Sequence, residues 1–188
     1  DAQNPAGDYL APAHPAEGVT RDEALAYCGA QGKVLPTEAQ WEKAARGGCE
    51  GGSDPTACDK DDTRLYPWGN TTPTCALAPH RVTGPRGPVP CTDQTVPVDD
   101  TRLTAGAGPY GHLGLAGNVW EWVADAYHPS TYPDALRRNP SGPASGALGI
   151  LRGGSWTTFS PNMRVSNQTH KDAQLYFHDM HIAGAAPA

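Results

Sequence analysis

The stretch GNVWEWVADAYHP, residues 117–129, sets two indoles around one carboxylate. Side chains of an extended strand alternate between faces, so Trp120 and Trp122 share one face and Glu121 takes the other. Burying two indoles stabilises a core by roughly 2 kcal/mol or more each. A chain built on this strand needs a packed layer on the tryptophan side. It also needs a partner for a carboxylate on the opposite side, because a buried unpaired charge is costly.

The rest of the chain limits how those layers can be made. Of 188 residues, 22 are Gly and 19 are Pro, and only 38% are hydrophobic. That composition predicts one loop-rich domain with few long regular elements, not a helical bundle. The formal net charge of −6 argues against nucleic acid and anionic membrane surfaces as partners. No apolar run has the length of a membrane span, so no membrane insertion is expected. The opening DAQNPAGDYLAPAHPAEG does not resemble a signal peptide and reads as a processed or trimmed start.

Two helices are predicted near the N-terminus. In VTRDEALAYCGAQG, Thr20 and Glu23 form a capping box, and Ala24, Tyr27 and Cys28 share a face. Gly29 or Gly32 ends it. In VLPTEAQWEKAARGG, Val34-Leu35 is an extended entry and Thr37 with Gln40 repeats the box. Trp41, Ala44 and Ala45 form the stripe, and Gly47-Gly48 stops the helix. Residues 47 to about 110 read mostly as loop, with LYPWGN an aromatic turn. GPRGPVPCTDQTVPV has too many prolines for a central strand. GNVWEWV, GILRGGSW and MRVSNQ read as strands.

Five cysteines are present: Cys28, Cys49, Cys58, Cys75 and Cys91. Four lie in Gly/Pro/Asp-rich stretches at spacings that close short loops. The predicted pairs are Cys49–Cys58 and Cys75–Cys91, in an oxidising compartment: extracellular, cell-surface or periplasmic. Each would add roughly 2–3 kcal/mol by the chain-entropy argument. No spacing suits a zinc site.

AYCGAQGKVLPTEAQWEKAARGG, YPWGN, PYGHLGLAGNVWEWVADAYHP and LRGGSW, in this order, resemble the formylglycine-generating-enzyme (sulfatase-modifying factor) domain family. The resemblance covers about residues 14–185 and implies, for residues 1–188 as a single domain, a loop-rich α+β variant of the C-type-lectin fold with two helices near the N-terminus and short antiparallel strands. It also implies that the family's N-terminal portion is absent. The same fold serves the variable binding proteins of diversity-generating retroelements. In the family, the glutamate of the WEW segment is a calcium ligand. Carried over, the ligands are Glu121 with the carbonyls of Gly117 and Val119. The family's Asn or Asp three residues before that glycine is here Gly114, which weakens the site. Glu121 otherwise reads as a buried, hydrogen-bonded carboxylate.

Family enzymes oxidise a substrate cysteine with oxygen through two cysteines after RGGS that hold copper. Soft thiolates select Cu(I), and thiol exchange requires a thiolate. In this chain those positions are Thr158 and Met163, so no copper is expected. Ser155, which lines the family's pocket, is retained. The family's closing cysteine, partner of the one in the first helix, falls on Gly184, which leaves Cys28 a free thiol.

The segment after RGGS lines the family's substrate groove and carries recognition residues in the retroelement binders. Here Ser155, Trp156, Thr158, Phe159, Asn162 and Arg164 are the candidate ligand-binding residues, mixing aromatic area with directional donors. As a strand, this segment would set Arg164 and Ser166 on one face and Val165 and Asn167 on the other. The predicted function is a non-catalytic binding or structural module. Its partner would be a protein, a glycan or neighbouring subunits, and an active formylglycine-generating oxidase is the alternative. His170, His178 and His181 with Asp172 and Asp179 could hold a metal but read more simply as solvated. A hydrolase triad of Ser155, Asp125 and a histidine lacks a nucleophile-elbow motif. Asn70 and Asn167 begin N-x-T sequons.

Overall fold

In a computed structural model of the chain, residues 13–48, 64–129, 139–173 and 180–182 are described. Helix α1 spans Arg21–Ala30 and α2 spans Glu38–Arg46, and both open with the expected capping boxes. Gly47, at φ 73°, ends α2 in a conformation that disfavours a side chain. Ala24 and Cys28 of α1 are fully buried, but Tyr27 is 57% exposed. The α1 stripe is one residue wide, and Tyr27 stands a helical step away from it. On α2, Trp41 and Ala45 are buried while Ala44 is only half-buried.

The region from 64 to 110 holds more regular structure than its prolines suggested. Strands β1 (Arg81–Gly84) and β2 (Gly87–Pro90) form an antiparallel hairpin. Helix α3 follows at Thr101–Ala105, capped by the Asp100 side chain. The proline reading holds in its stricter form: β2, with Pro88 and Pro90, is the outer strand, while Arg81 of β1 bridges Phe159. The aromatic turn is present, with Tyr66 and Gly69 exchanging both backbone hydrogen bonds and Tyr66 stacked on Trp68 at 5.3 Å.

The main sheet has the order β5-β4-β3-β6, with β3 at Trp120–Ala126, β4 at Leu148–Arg152, β5 at Thr169–Asp172 and β6 at Met180–Ile182. The β3–β4 and β4–β5 pairs are antiparallel, as expected, and β6 adds to β3 in the parallel sense. MRVSNQ is not a strand. A 3₁₀ turn, Ser160–Met163, is followed by a turn at 164–166. Pro161 suits the start of a helical turn, where its missing N–H costs nothing. Val165 is still buried between exposed Arg164 and Ser166.

The alternation read from WEW organises the core. Trp122 and Leu151 pack with Ala24, Cys28 and Leu35 beside α1, and Trp120 leans on that cluster. Val123 and Ile150 face the other way, onto Trp41 and Ala45 of α2, Leu115 and Val165. A third cluster joins Tyr66, Ala78, Ala116 and Met163. Cys75 and Cys91 are disulfide-bonded as predicted, and Cys28 is a buried free thiol whose ionisation burial suppresses. The predicted Cys49–Cys58 pair lies outside the described residues. No helix among the described residues is long and apolar enough to cross a membrane.

Candidate functional site

Glu121 is 6% exposed, and its carboxylate accepts a 2.5 Å hydrogen bond from the indole of Trp41. Burial raises its pKa to about 7, with the indole donor pulling the other way. The partner that a buried carboxylate requires is thus a neutral donor from α2.

The loop before β3 is fixed by backbone. Gly117 has φ 71°, and a Cβ there would stand 2.2 Å from the Pro79 carbonyl oxygen. Its N–H donates to Gly153. Asn118, at φ 62°, donates its N–H to Pro79 and accepts from the N–H of Trp156. Its side chain closes a two-bond ring with the Val96 backbone. These contacts bring GNV, the Pro79 segment and GGSW together at one place.

The donors carried over for calcium are therefore one carboxylate, already holding an indole, and the carbonyls of Gly117 and Val119. Position 114 adds no side chain. Calcium takes about 6–8 oxygens, so this set alone does not fit a complete shell. Among the described residues, no group of three or more His, Cys, Asp or Glu could hold a metal ion. His170 instead stacks on Tyr127 at 3.8 Å. Of His181 only the backbone is described, and His178 and Asp179 lie outside the described residues.

After β4, Gly153 and Gly154 lead into a hydroxyl cluster. Ser155 is fully buried, with its Oγ 2.9 Å from Thr157 Oγ1. The Ser155 N–H donates to Thr158 Oγ1, and that hydroxyl donates back to the Ser155 carbonyl. Met163 is fully buried in the third core cluster. A hydroxyl tied to backbone and a buried thioether do not fit a copper thiolate site. Phe159 is 39% exposed, with the Arg81 guanidinium 6.0 Å from its ring, and Arg164 is exposed nearby in sequence. Trp156 and Asn162 are half-buried, and Asn162 accepts from the side chain of Asn167. Asn70 of the other sequon accepts from the Leu65 N–H.

Two buried residues carry more of the architecture than the sequence reading gave them. Arg152 donates to Glu38 at 3.1 Å, to Glu42 at 2.8 Å and to the Val165 carbonyl, above the Trp41 ring. The spacing of Glu38 and Glu42, one turn apart on a predicted helix, was the available signal. Asp125 accepts from the N–H groups of Glu38 and Gly142. With Asp125 held there and Ser155 beside Thr157, the contacts described do not assemble the hydrolase triad. Glu38, Glu42, Lys43, Arg46 and Arg152 line a cleft of about 610 Å³ along α2.

The sulfatase-modifying factor enzyme 1-like domain matches residues 2–180. The chain is 40% identical over 156 residues to a formylglycine-generating enzyme of Streptomyces coelicolor, covering 77% of this chain and 43% of that protein. It is 34% identical over 146 residues to the inactive Cα-formylglycine-generating enzyme 2 of Mus musculus, covering 76% and 37%. The chain thus spans less than half the length of these relatives. Its fold matches that of Treponema denticola variable protein 1 with a TM-score of 0.66 at 21% identity, covering 96% of this chain and 73% of the other. Motif order, core and family match agree, and the chain belongs to the sulfatase-modifying factor enzyme 1-like domain family.

Proposed function

We propose that this chain is a non-catalytic recognition module on the family scaffold, acting outside the cytoplasm, with the segment Ser155 to Arg164 as its contact face. One observation carries the reading. Where the family resemblance calls for two thiolates, Thr158 spends its hydroxyl on Ser155 and Met163 fills the core. Neither group can hold Cu(I) as a thiolate does or exchange with a substrate thiol. The similarity to an inactive mouse relative supports the reading. The Cys75–Cys91 disulfide supports an oxidising compartment. The exposed Phe159 beside Arg81 and the exposed Arg164 suit a protein or glycan partner.

The second reading, an active formylglycine-generating oxidase, draws on the identity to the Streptomyces coelicolor enzyme. One assay separates the two. A cysteine-containing sulfatase-motif peptide is incubated with the protein, copper and oxygen, and aldehyde formation is followed by mass spectrometry. No turnover above a protein-free control is expected. Aldehyde accumulating in proportion to protein would establish the oxidase instead.

A further inference from the structure

The Cys75–Cys91 disulfide does more than close a loop, because it lies against a buried imidazole. His80 is 1% exposed, one residue before β1. Its carbonyl accepts the Cys91 N–H at 2.7 Å, which seats the two residues opposite each other at the base of the hairpin. His80 Nδ1 lies 2.9 Å from the Ala78 carbonyl oxygen and 3.7 Å from Cys91 Sγ. A carbonyl oxygen only accepts, so in this bond Nδ1 carries the hydrogen. That N–H also faces the sulfur of Cys91, and no donor among the described residues faces Cys75. Both cysteines are partly exposed rather than sealed in the core.

We propose that Cys75–Cys91 is a thiol–disulfide exchange site for a small dithiol, with Cys91 as the leaving sulfur and His80 as the donor that receives its charge. The thiolate of the incoming dithiol attacks Cys75 Sγ. The Sγ–Sγ bond breaks, and its electron pair leaves on Cys91, where the His80 N–H meets it. The second thiol of the dithiol, as thiolate, then displaces Cys75 from the mixed disulfide. The dithiol is oxidised to a disulfide, the protein disulfide is reduced, and the two protons of the dithiol end on Cys75 and Cys91. A donor at one sulfur biases both steps. The better-stabilised thiolate leaves faster, and a stabilised reduced form makes the disulfide easier to reduce.

The hairpin base has reach. The Pro79 carbonyl accepts from Asn118, and the Arg81 N–H donates to the Thr158 carbonyl at 2.8 Å. These bonds tie the hairpin base to the turn carrying Phe159. The exchange chemistry itself stands independently of the recognition reading, since it uses none of those residues.

The test reads regiochemistry and equilibrium. Intact protein is treated with substoichiometric glutathione, quenched with iodoacetamide and mapped by peptide mass. Glutathione is expected on Cys75 and the alkyl group on Cys91. Redox titration with dithiothreitol then compares the native chain with His80→Leu, which removes the donor, and His80→Asn, which retains one. The reduction equilibrium constant is expected to fall about tenfold in His80→Leu, as for a thiolate losing about one pKa unit of stabilisation, and to recover in His80→Asn. Glutathione divided equally between the cysteines, or placed on Cys91, overturns the proposal. So does an equilibrium indifferent to the donor. If His80→Leu does not fold, the mapping on the native chain and the His80→Asn titration decide it.

Discussion

At the scale of single residues, Glu121 concentrates the electrostatics of this domain. Its pKa is raised to about 7 in the fold, against an ordinary carboxyl value of 4.5. The folded state therefore holds a proton that the unfolded state has released between these values. Stability should fall as pH rises through that window, by on the order of 3 kcal/mol in total. Denaturant titrations of chelator-treated protein at pH 4.5 and pH 7.5 check this, and Glu121→Gln should flatten the difference attributable to this group. If calcium binds at Glu121, below about pH 7 it has to displace the proton. Calorimetric titration at pH 7.5 is expected to show at most weak binding. Gly114→Asn should tighten it. Position 114 sits at φ +76° with nothing within 4 Å of an added Cβ, a conformation that Asn tolerates better than most residues. Unchanged calcium affinity in Glu121→Gln would remove Glu121 from the ligand set. The alternation around Glu121 was legible from WEW alone. Its donor was not, because Trp41 lies 80 positions away and the helix pattern marks it only as buried.

At the scale of elements, helix α2 is held by charges placed on the strands. Asp125 on β3 satisfies the Glu38 N–H in the first turn of α2 and ties down Gly142. Arg152 on β4 then grips Glu38 and Glu42. Asp125→Ala leaves two donors without their carboxylate and should destabilise by roughly 2–4 kcal/mol, measured by urea unfolding. Loss of less than about 0.5 kcal/mol would show that water or rearrangement replaces it. The turn proposed as the contact face should behave differently. Phe159→Ala and Arg164→Ala are surface changes expected to alter stability by no more than about 0.5 kcal/mol. Both should abolish capture of a partner by immobilised protein. Unfolding on either substitution would make the turn a scaffold element. Both helices were legible because capping boxes and stops are local signals. The hairpin was hidden because Pro88 and Pro90 speak against strands, and only the outer position of β2 makes them acceptable. The 3₁₀ turn and the turn after it were hidden because their buried positions, Met163 and Val165, mimic a strand period.

At the scale of the whole molecule, the sheet has α1 on one face and α2 on the other, and each face supplies its own cluster. The two clusters share β3 and β4, so neither can dissolve alone. Scanning calorimetry is expected to give a single transition whose calorimetric and van't Hoff enthalpies agree. Two resolved transitions would divide the chain into separate units. The parallel pairing of β6 with β3 joins segments about sixty residues apart, a long-range contact without a local sequence signal. The family motifs carried the fold further than periodicity could, since much of this chain is irregular backbone whose course is set by glycines and carbonyls. One of those glycines bears on how the molecule could be diversified. At Gly117 a single methyl group would collide with the Pro79 carbonyl, whereas Phe159 and Arg164 project from a turn whose path is set by main-chain bonds. A randomised library should accordingly tolerate almost any residue at positions 159 and 164 and return only the parental glycine at 117. The domain would then be a scaffold on which new specificities can be selected while the framework stays unchanged.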